Sequence, residues 1–280
     1  MSVGTFLIVL FAALLHALWN AIVKGAGDRA LVLGLLAVGH VVPGLGLALY
    51  YGAPAPEAFP YVVATTVIHW GYYVLLNIAY RTGDLSVVYP IARGLAPVLI
   101  AVGALIWADE HLPIMAWVGI FVVSGGILML AGQAFSSQIA RTGLVAAVGV
   151  AVVIASYSIV DGIGIRVSGN PGGYIGWIFT AEIFVVLYVF STRWDRLRAM
   201  SSQAIGIGLV GGIVSAAAYG LVLLAKTTAP LGIVSALRET SVIFAALIGV
   251  LWFSEGPRST RLIAAIVVAV GIGTIASVGG

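Results

Sequence analysis

The chain has 280 residues, of which 61% are hydrophobic and 8% charged, with a mean hydropathy of +1.15. A soluble domain is roughly 25% charged, so this composition describes a polytopic membrane protein, and the formal charge of +3 forms no basic stripe for nucleic acid. With no cysteine, disulfides and thiolate metal sites are excluded; the four histidines lie in separate segments without ligand spacing, so neither a metal nor a cofactor is expected.

A helix needs about 20 apolar residues to cross a bilayer. Cut at its glycine, proline and charge clusters, the chain gives ten spans: 3–23, 31–51, 59–80, 85–107, 113–132, 143–165, 172–191, 204–225, 230–253 and 260–278. The first has no basic residue before it and no small-residue cleavage site after it, and reads as a retained helix. One of its faces carries His16, Trp19 and Asn20, with Lys24 beyond. Span three carries His69, Tyr72, Tyr73, Leu76 and Tyr80, a stripe too polar for lipid. In span four, Ser86, Tyr89, Arg93 and Pro97 share a face, and an isolated cation in hydrocarbon costs on the order of 3 kcal/mol. Pro90 and Pro97 flank Arg93 and remove backbone hydrogen bonds, so span four is a candidate hinge, though such prolines are common in membrane helices. Span six offers Tyr157 and Asp161, span eight Ser215 and Tyr219, span nine Arg238 and Glu239.

Basic residues favour the odd loops: Lys24, Arg29, Arg81, Arg141, Arg193, Arg196, Arg198, Arg258 and Arg261, against Arg166 and Lys226 in the even ones. The positive-inside rule then makes the odd loops cytoplasmic and puts both termini outside. Tyr50, Tyr51, Trp107, Trp194 and Trp252, near span ends, read as interfacial belt residues.

A shift of 145 residues lays Arg93 on Arg238, Trp107 on Trp252 and Glu110 on Glu255, three rare residue types in one register. Five spans make one repeat, and because five is odd the second copy enters the membrane from the opposite side. The expected fold is an all-α membrane protein of ten transmembrane helices in two inverted five-helix repeats, 1–135 and 136–280. Spans one and six align less well. Inverted repeats put substrate sites near the midplane where the halves meet. At about 1.5 Å per residue, Arg93 and Arg238 both lie within about 5 Å of that plane.

The candidate substrate-binding residues are therefore Trp19, Asn20, His16, His69, Tyr72, Tyr73, Tyr89, Arg93, Tyr157, Tyr219, Arg238 and Glu239, with Pro90 and Pro97 as hinge. Two readings stand side by side for the arginines: contact with substrate, or structural ion pairs with Glu239, Glu182 or Asp161. Arg238 and Glu239 are adjacent and cannot face each other on one helix, which leaves Arg93 with Glu239 as the more reasonable pair. The 36 glycines exceed the roughly 20 of average usage, and Gly208 with Gly212, or Ser241, Ala245 and Gly249, let helices approach closely.

With "ALWNAIVK" at 17–24, "WADEHLP" after span four and "WFSEGP" after span nine, the ten-span layout resembles the drug/metabolite transporter superfamily, specifically its EamA-type branch. The resemblance covers essentially the whole chain. It implies a carrier of small metabolites in the bacterial cytoplasmic membrane, often an exporter, and the mid-span aromatics suit the branch of aromatic amino-acid exporters. Trp19, Asn20 and Lys24 match a family pattern of an aromatic and a polar residue near a lysine in the first span; His16 and the stripe at His69 match no family role.

The leading expectation is a secondary transporter for an amino acid or similar small metabolite in the lipid bilayer, an arginine holding its carboxylate and Glu239 or a tyrosine its ammonium. A drug-like cation is the alternative substrate. A channel is less favoured because no repeated filter loop is present, and an enzyme is not expected because HExxH, GxSxG and phosphate-loop patterns are lacking. Proton coupling through Glu239, Glu182, Asp161, His16 or His69 and facilitated diffusion are both open, and the glycine faces serve a monomer as readily as a weak dimer.

Overall fold

The computed structural model describes residues 1–23, 28–82, 85–132, 141–251 and 258–278, and among these it contains helices and no strands. In chain order the helices are α1 (Val3–Val23), α2 (Arg29–Tyr51), α3 (Phe59–Thr82), α4 (Leu85–Trp107), α5 (Ile114–Gly132), α6 (Arg141–Val167), α7 (Pro171–Thr180), α8 (Ile183–Thr192), α9 (Trp194–Arg198), α10 (Ser202–Lys226), α11 (Leu231–Arg238), α12 (Ser241–Leu251) and α13 (Arg258–Ser277). Nine helical segments among the described residues are long and apolar enough to cross a membrane, with α7–α8 and α11–α12 each counted as one span. The chain is a multi-pass helical membrane protein. Large apolar side chains such as Leu49 (78% exposed), Ile114 (73%) and Val145 (70%) face outward, as expected where lipid is the solvent.

Local chemistry fixes the ends. Asp28 caps α2 by accepting the Ala30 and Leu31 amides, Asn170 caps α7 through the Gly173 amide with Pro171 at its first turn, and Ser201 caps α10 through the Ala204 amide. Gly52 closes α2 at φ +78°, where a side chain would be strained, and returns its N–H to the Ala48 carbonyl. Burial raises the Asp28 carboxyl, but the Leu31 amide, the Arg196 guanidinium and the Ala30 amide outweigh burial and hold it below its usual value. A depressed carboxylate stabilises the fold above its unfolded-state pKa, and that contribution fades as pH falls through the folded-state value. Asp28→Ala is accordingly expected to cost about 1 kcal/mol at neutral pH, with the gap to the parent closing on acidification in thermal unfolding of detergent-solubilised protein. A gap independent of pH would contradict the assignment.

Two expected spans, 172–191 and 230–253, are not single helices. Span seven breaks at Ala181–Glu182 and span nine at Glu239–Thr240, in both cases through turns closed by shorter hydrogen bonds: Glu182 N to Phe179 O at 3.2 Å, Glu239 N to Ala236 O at 3.1 Å and Thr240 N to Leu237 O at 3.0 Å. By contrast, α4 runs unbroken through Pro90 and Pro97. Proline φ is compatible with a helix, and α5, α6 and α11 pack around α4.

The core consists of α1 with α5, α10, α11, α12 and α13 around Val9, Ile120, Val123 and Leu237; of α4 with α6 around Ile91, Ile100 and Ala147; and of α3, α6, α7 and α10 around Ile165, Tyr174 and Leu223. At two of its seams helices approach backbone to backbone. A Cβ on Gly39 of α2 would stand 2.5 Å from the Gly212 Cα of α10, and one on Gly271 of α13 would stand 2.9 Å from the Gly119 oxygen of α5.

Candidate functional site

Arg93 of α4 lies buried where the break in span nine brings up Glu239. Its Nη2 is 3.0 Å and its Nε 3.1 Å from Glu239 Oε2, and Nη2 also donates to Ser241 Oγ at 3.4 Å. The pair is about 5% exposed, so each charge is compensated by the other and by little water. The break is what makes this contact: it turns Glu239 off the α11 axis and leaves Arg238 as the last residue of α11.

Arg238 has no such partner. Its Nε is buried without a hydrogen bond, and among the described residues no carboxylate pairs with it. It stands within Coulombic reach of His16, Tyr219, Lys226 and Glu239, while Arg93 is within reach of His16, Tyr72, Tyr89 and Tyr157. Aromatic rings line the space between. The His69 ring lies 4.4 Å from that of Tyr157 and 6.4 Å from that of Tyr219, and Tyr157 packs edge-on to Tyr72 (6.2 Å) and Tyr219 (6.1 Å).

Three of the expected contacts, Trp19, Asn20 and His69, are turned to local use. Trp19 Nε1 donates to His16 Nδ1 at 3.3 Å, and Asn20 Nδ2 donates to the His16 carbonyl at 2.7 Å, so the Asn20 amide is occupied by its own helix. His69 Nδ1 is engaged by the Thr65 carbonyl at 2.8 Å, which orients the ring. Tyr89 is 39% exposed. The Tyr73 side chain, Lys24, Trp252 and Glu255 lie outside the described residues. Tyr50, Tyr51, Trp107 and Trp194 are exposed at helix ends.

A second polar cluster adjoins the first. Asp161 of α6, fully buried, accepts the Tyr174 hydroxyl at 3.1 Å and the Tyr219 hydroxyl by a short bond. Lys226, also fully buried, donates from Nζ to the Ser158 carbonyl at 2.9 Å and feels the Asp161 charge. Tyr174 and Lys226 were not among the expected site residues. Tyr174 follows two glycines near a helix start, and Lys226 reads as a loop cation at a span end; only the fold turns both inward.

Over this cluster the even loops are tied together. Glu110 Oε1 is 2.7 Å from Arg166 Nη2, Glu110 Oε2 accepts the Leu231 amide at 2.7 Å, and Arg166 donates to the Lys226 and Ala229 carbonyls at 2.8 Å each. The Ala55 amide bonds the Ser168 carbonyl at 2.9 Å, and Asn170 Nδ2 donates to the Tyr51 carbonyl at 2.7 Å. The loop after α4, the end of α6 and the start of α11 are thereby closed on one another.

Neither a family model nor a curated relative matches the chain. Solved structures do: one, given only as "Crystal structure of protein", superposes with a TM-score of 0.76 at 19% sequence identity, covering 98% of this chain and 96% of that one. At that identity the likeness is one of fold, and it extends over the full length of both chains.

Proposed function

We propose that this protein is a secondary transporter of the drug/metabolite transporter superfamily, EamA-type, that exports amino acids or similar small metabolites across the bacterial cytoplasmic membrane by alternating access. The observation that carries the reading is Arg238, a half-buried side chain beside the Arg93–Glu239 pair whose Nε is buried without a hydrogen bond, within reach of Tyr219 and His16. An unpaired cation at the centre of a membrane helix is costly, and a substrate carboxylate would compensate it, with the tyrosine rings around a side chain.

Packing supports two inverted repeats, 1–135 and 136–280. If spans one to five correspond to six to ten, α1 against α10 corresponds to α6 against α3, and both pairs pack extensively. Three further contacts, α2 with α7–α8, α5 with α13 and the smaller one of α4 with α11, each join a span to its own counterpart. Other correspondences are uneven, α4 packing more on α5 and α6 than α11–α12 does on α13 and α1, and the largest inequality lies at one seam. α10 packs closely on α2, whereas α3 touches α7 lightly, as expected of a carrier caught with one route closed and its counterpart loose. The closed even-loop face fits the same state, and by loop charge that face and both termini are extracytoplasmic.

Counterflow in proteoliposomes with a panel of labelled amino acids tests the proposal. The expected result is saturable exchange of aromatic or neutral amino acids that Arg238→Met abolishes. Exchange of organic cations alone would move the substrate to the alternative class, and non-saturable flux would favour a channel. No exchange of either class by folded protein would overturn the proposal.

A further inference from the structure

The break in span seven carries a glutamate that the substrate site leaves unused. Glu182 stands midway along Pro171–Thr192, and His40 midway along α2. His40 Nδ1 and Glu182 Oε1 are 2.8 Å apart, with the side chains 13% and 18% exposed, and the other atom of each group, His40 Nε2 and Glu182 Oε2, is buried without a partner. Phe179 covers the imidazole, its ring 5.2 Å away. Glu182 lines a cleft between α3 and α7–α8 of about 20 Å³, room for a water, whose other walls include Thr65, Thr66, His69, Trp70 and Tyr219. The titratable groups facing Glu182 are His40 from α2, His69 from α3 and Tyr219 from α10, with Asp161 of α6 behind Tyr219 on the same hydroxyl.

We propose that His40 and Glu182 form the proton-binding site that couples transport to the pH gradient. The inference rests on the transport reading above. With one shared proton the pair is neutral, either as carboxylic acid and imidazole or as carboxylate and imidazolium; without it the pair carries one negative charge in a low-dielectric interior, which is costly. The cleft between α3 and α7–α8 is the route by which the dyad exchanges its proton with water when these helices part. Uptake forms an O–H or N–H bond on the dyad and release returns the proton to water; no other reactant is required. Tyr219 borders both the cleft and the tyrosine cluster beside Arg93, so a shift of its ring joins the two sites.

The first test is independent of any substrate. Infrared difference spectra of reconstituted protein between acid and alkaline pH should contain a band of the protonated dyad, from a protonated carboxyl or from an imidazolium, that Glu182→Gln removes or shifts and His40→Gln removes or moves to a different midpoint. An unchanged band in Glu182→Gln overturns the proposal. The second test uses the amino-acid panel: Glu182→Gln should keep counterflow, which needs no net proton movement, and lose accumulation driven by a pH gradient. Gradient-driven accumulation that survives Glu182→Gln also overturns it. Wild-type protein that performs no counterflow would sink the transport reading instead, leaving the infrared result to decide proton binding.

Discussion

Arg93→Met is expected to destabilise the protein by about 3–5 kcal/mol, because it strands the Glu239 carboxylate in a site some 5% exposed. The double variant Arg93→Met/Glu239→Gln should recover most of that loss, since removing both charges also removes their desolvation cost. Unfolding of the two single variants and the double variant in detergent gives the coupling directly. Additive losses would mean that the two groups do not compensate each other. Arg238→Met supplies the contrast: with no described ion pair to break, it should leave stability near the parent while abolishing exchange. If Arg238→Met unfolds the protein as Arg93→Met does, Arg238 is structural and the substrate reading loses its support.

The second large effect falls on the α2–α10 seam. A Cβ on Gly212 would lie 2.6 Å from the Leu36 carbonyl oxygen and 2.8 Å from the Gly39 Cα, all backbone, so no side chain can swing aside. Gly212→Val should push the helices apart at a cost of about 1–3 kcal/mol, typical of overpacking. Gly206→Ala on the same helix meets nothing within 4 Å and should be neutral or slightly stabilising. Denaturant titration followed by helical circular dichroism separates the two. Equal effects would show that helix propensity rather than close approach governs this seam. Because α2 and α10 pack closely where α3 and α7 do not, Gly212→Val should also slow exchange by favouring the state in which this seam is open.

The Arg93–Glu239 pair was legible in the sequence because the repeat put two arginines at matching depths, and because adjacent Arg238 and Glu239 cannot face each other on a helix. The break that makes the contact was not legible: its neighbours Ala236, Leu237 and Ser241, Val242 read as ordinary helix, and only the fold gives Glu239 somewhere to turn. The even-loop cations misled in a simpler way. Arg166 and Lys226 count as surface charges in a loop tally, yet one is bonded to Glu110 and two carbonyls and the other is fully buried on Ser158. His40 went unremarked because a lone histidine in an apolar run has no periodic partner; Glu182 reaches it from 142 residues away.

The interruptions in spans seven and nine also bear on how little the chain must spend to move. Bending an intact helix in hydrocarbon would bare N–H and C=O groups to a solvent that cannot bond them, at several kcal/mol for each. At Glu182 and Glu239 those groups are already turned aside and satisfied by three-residue bonds. On the transport reading proposed above, a swivel of half of each span about these joints would therefore cost less than bending an intact helix.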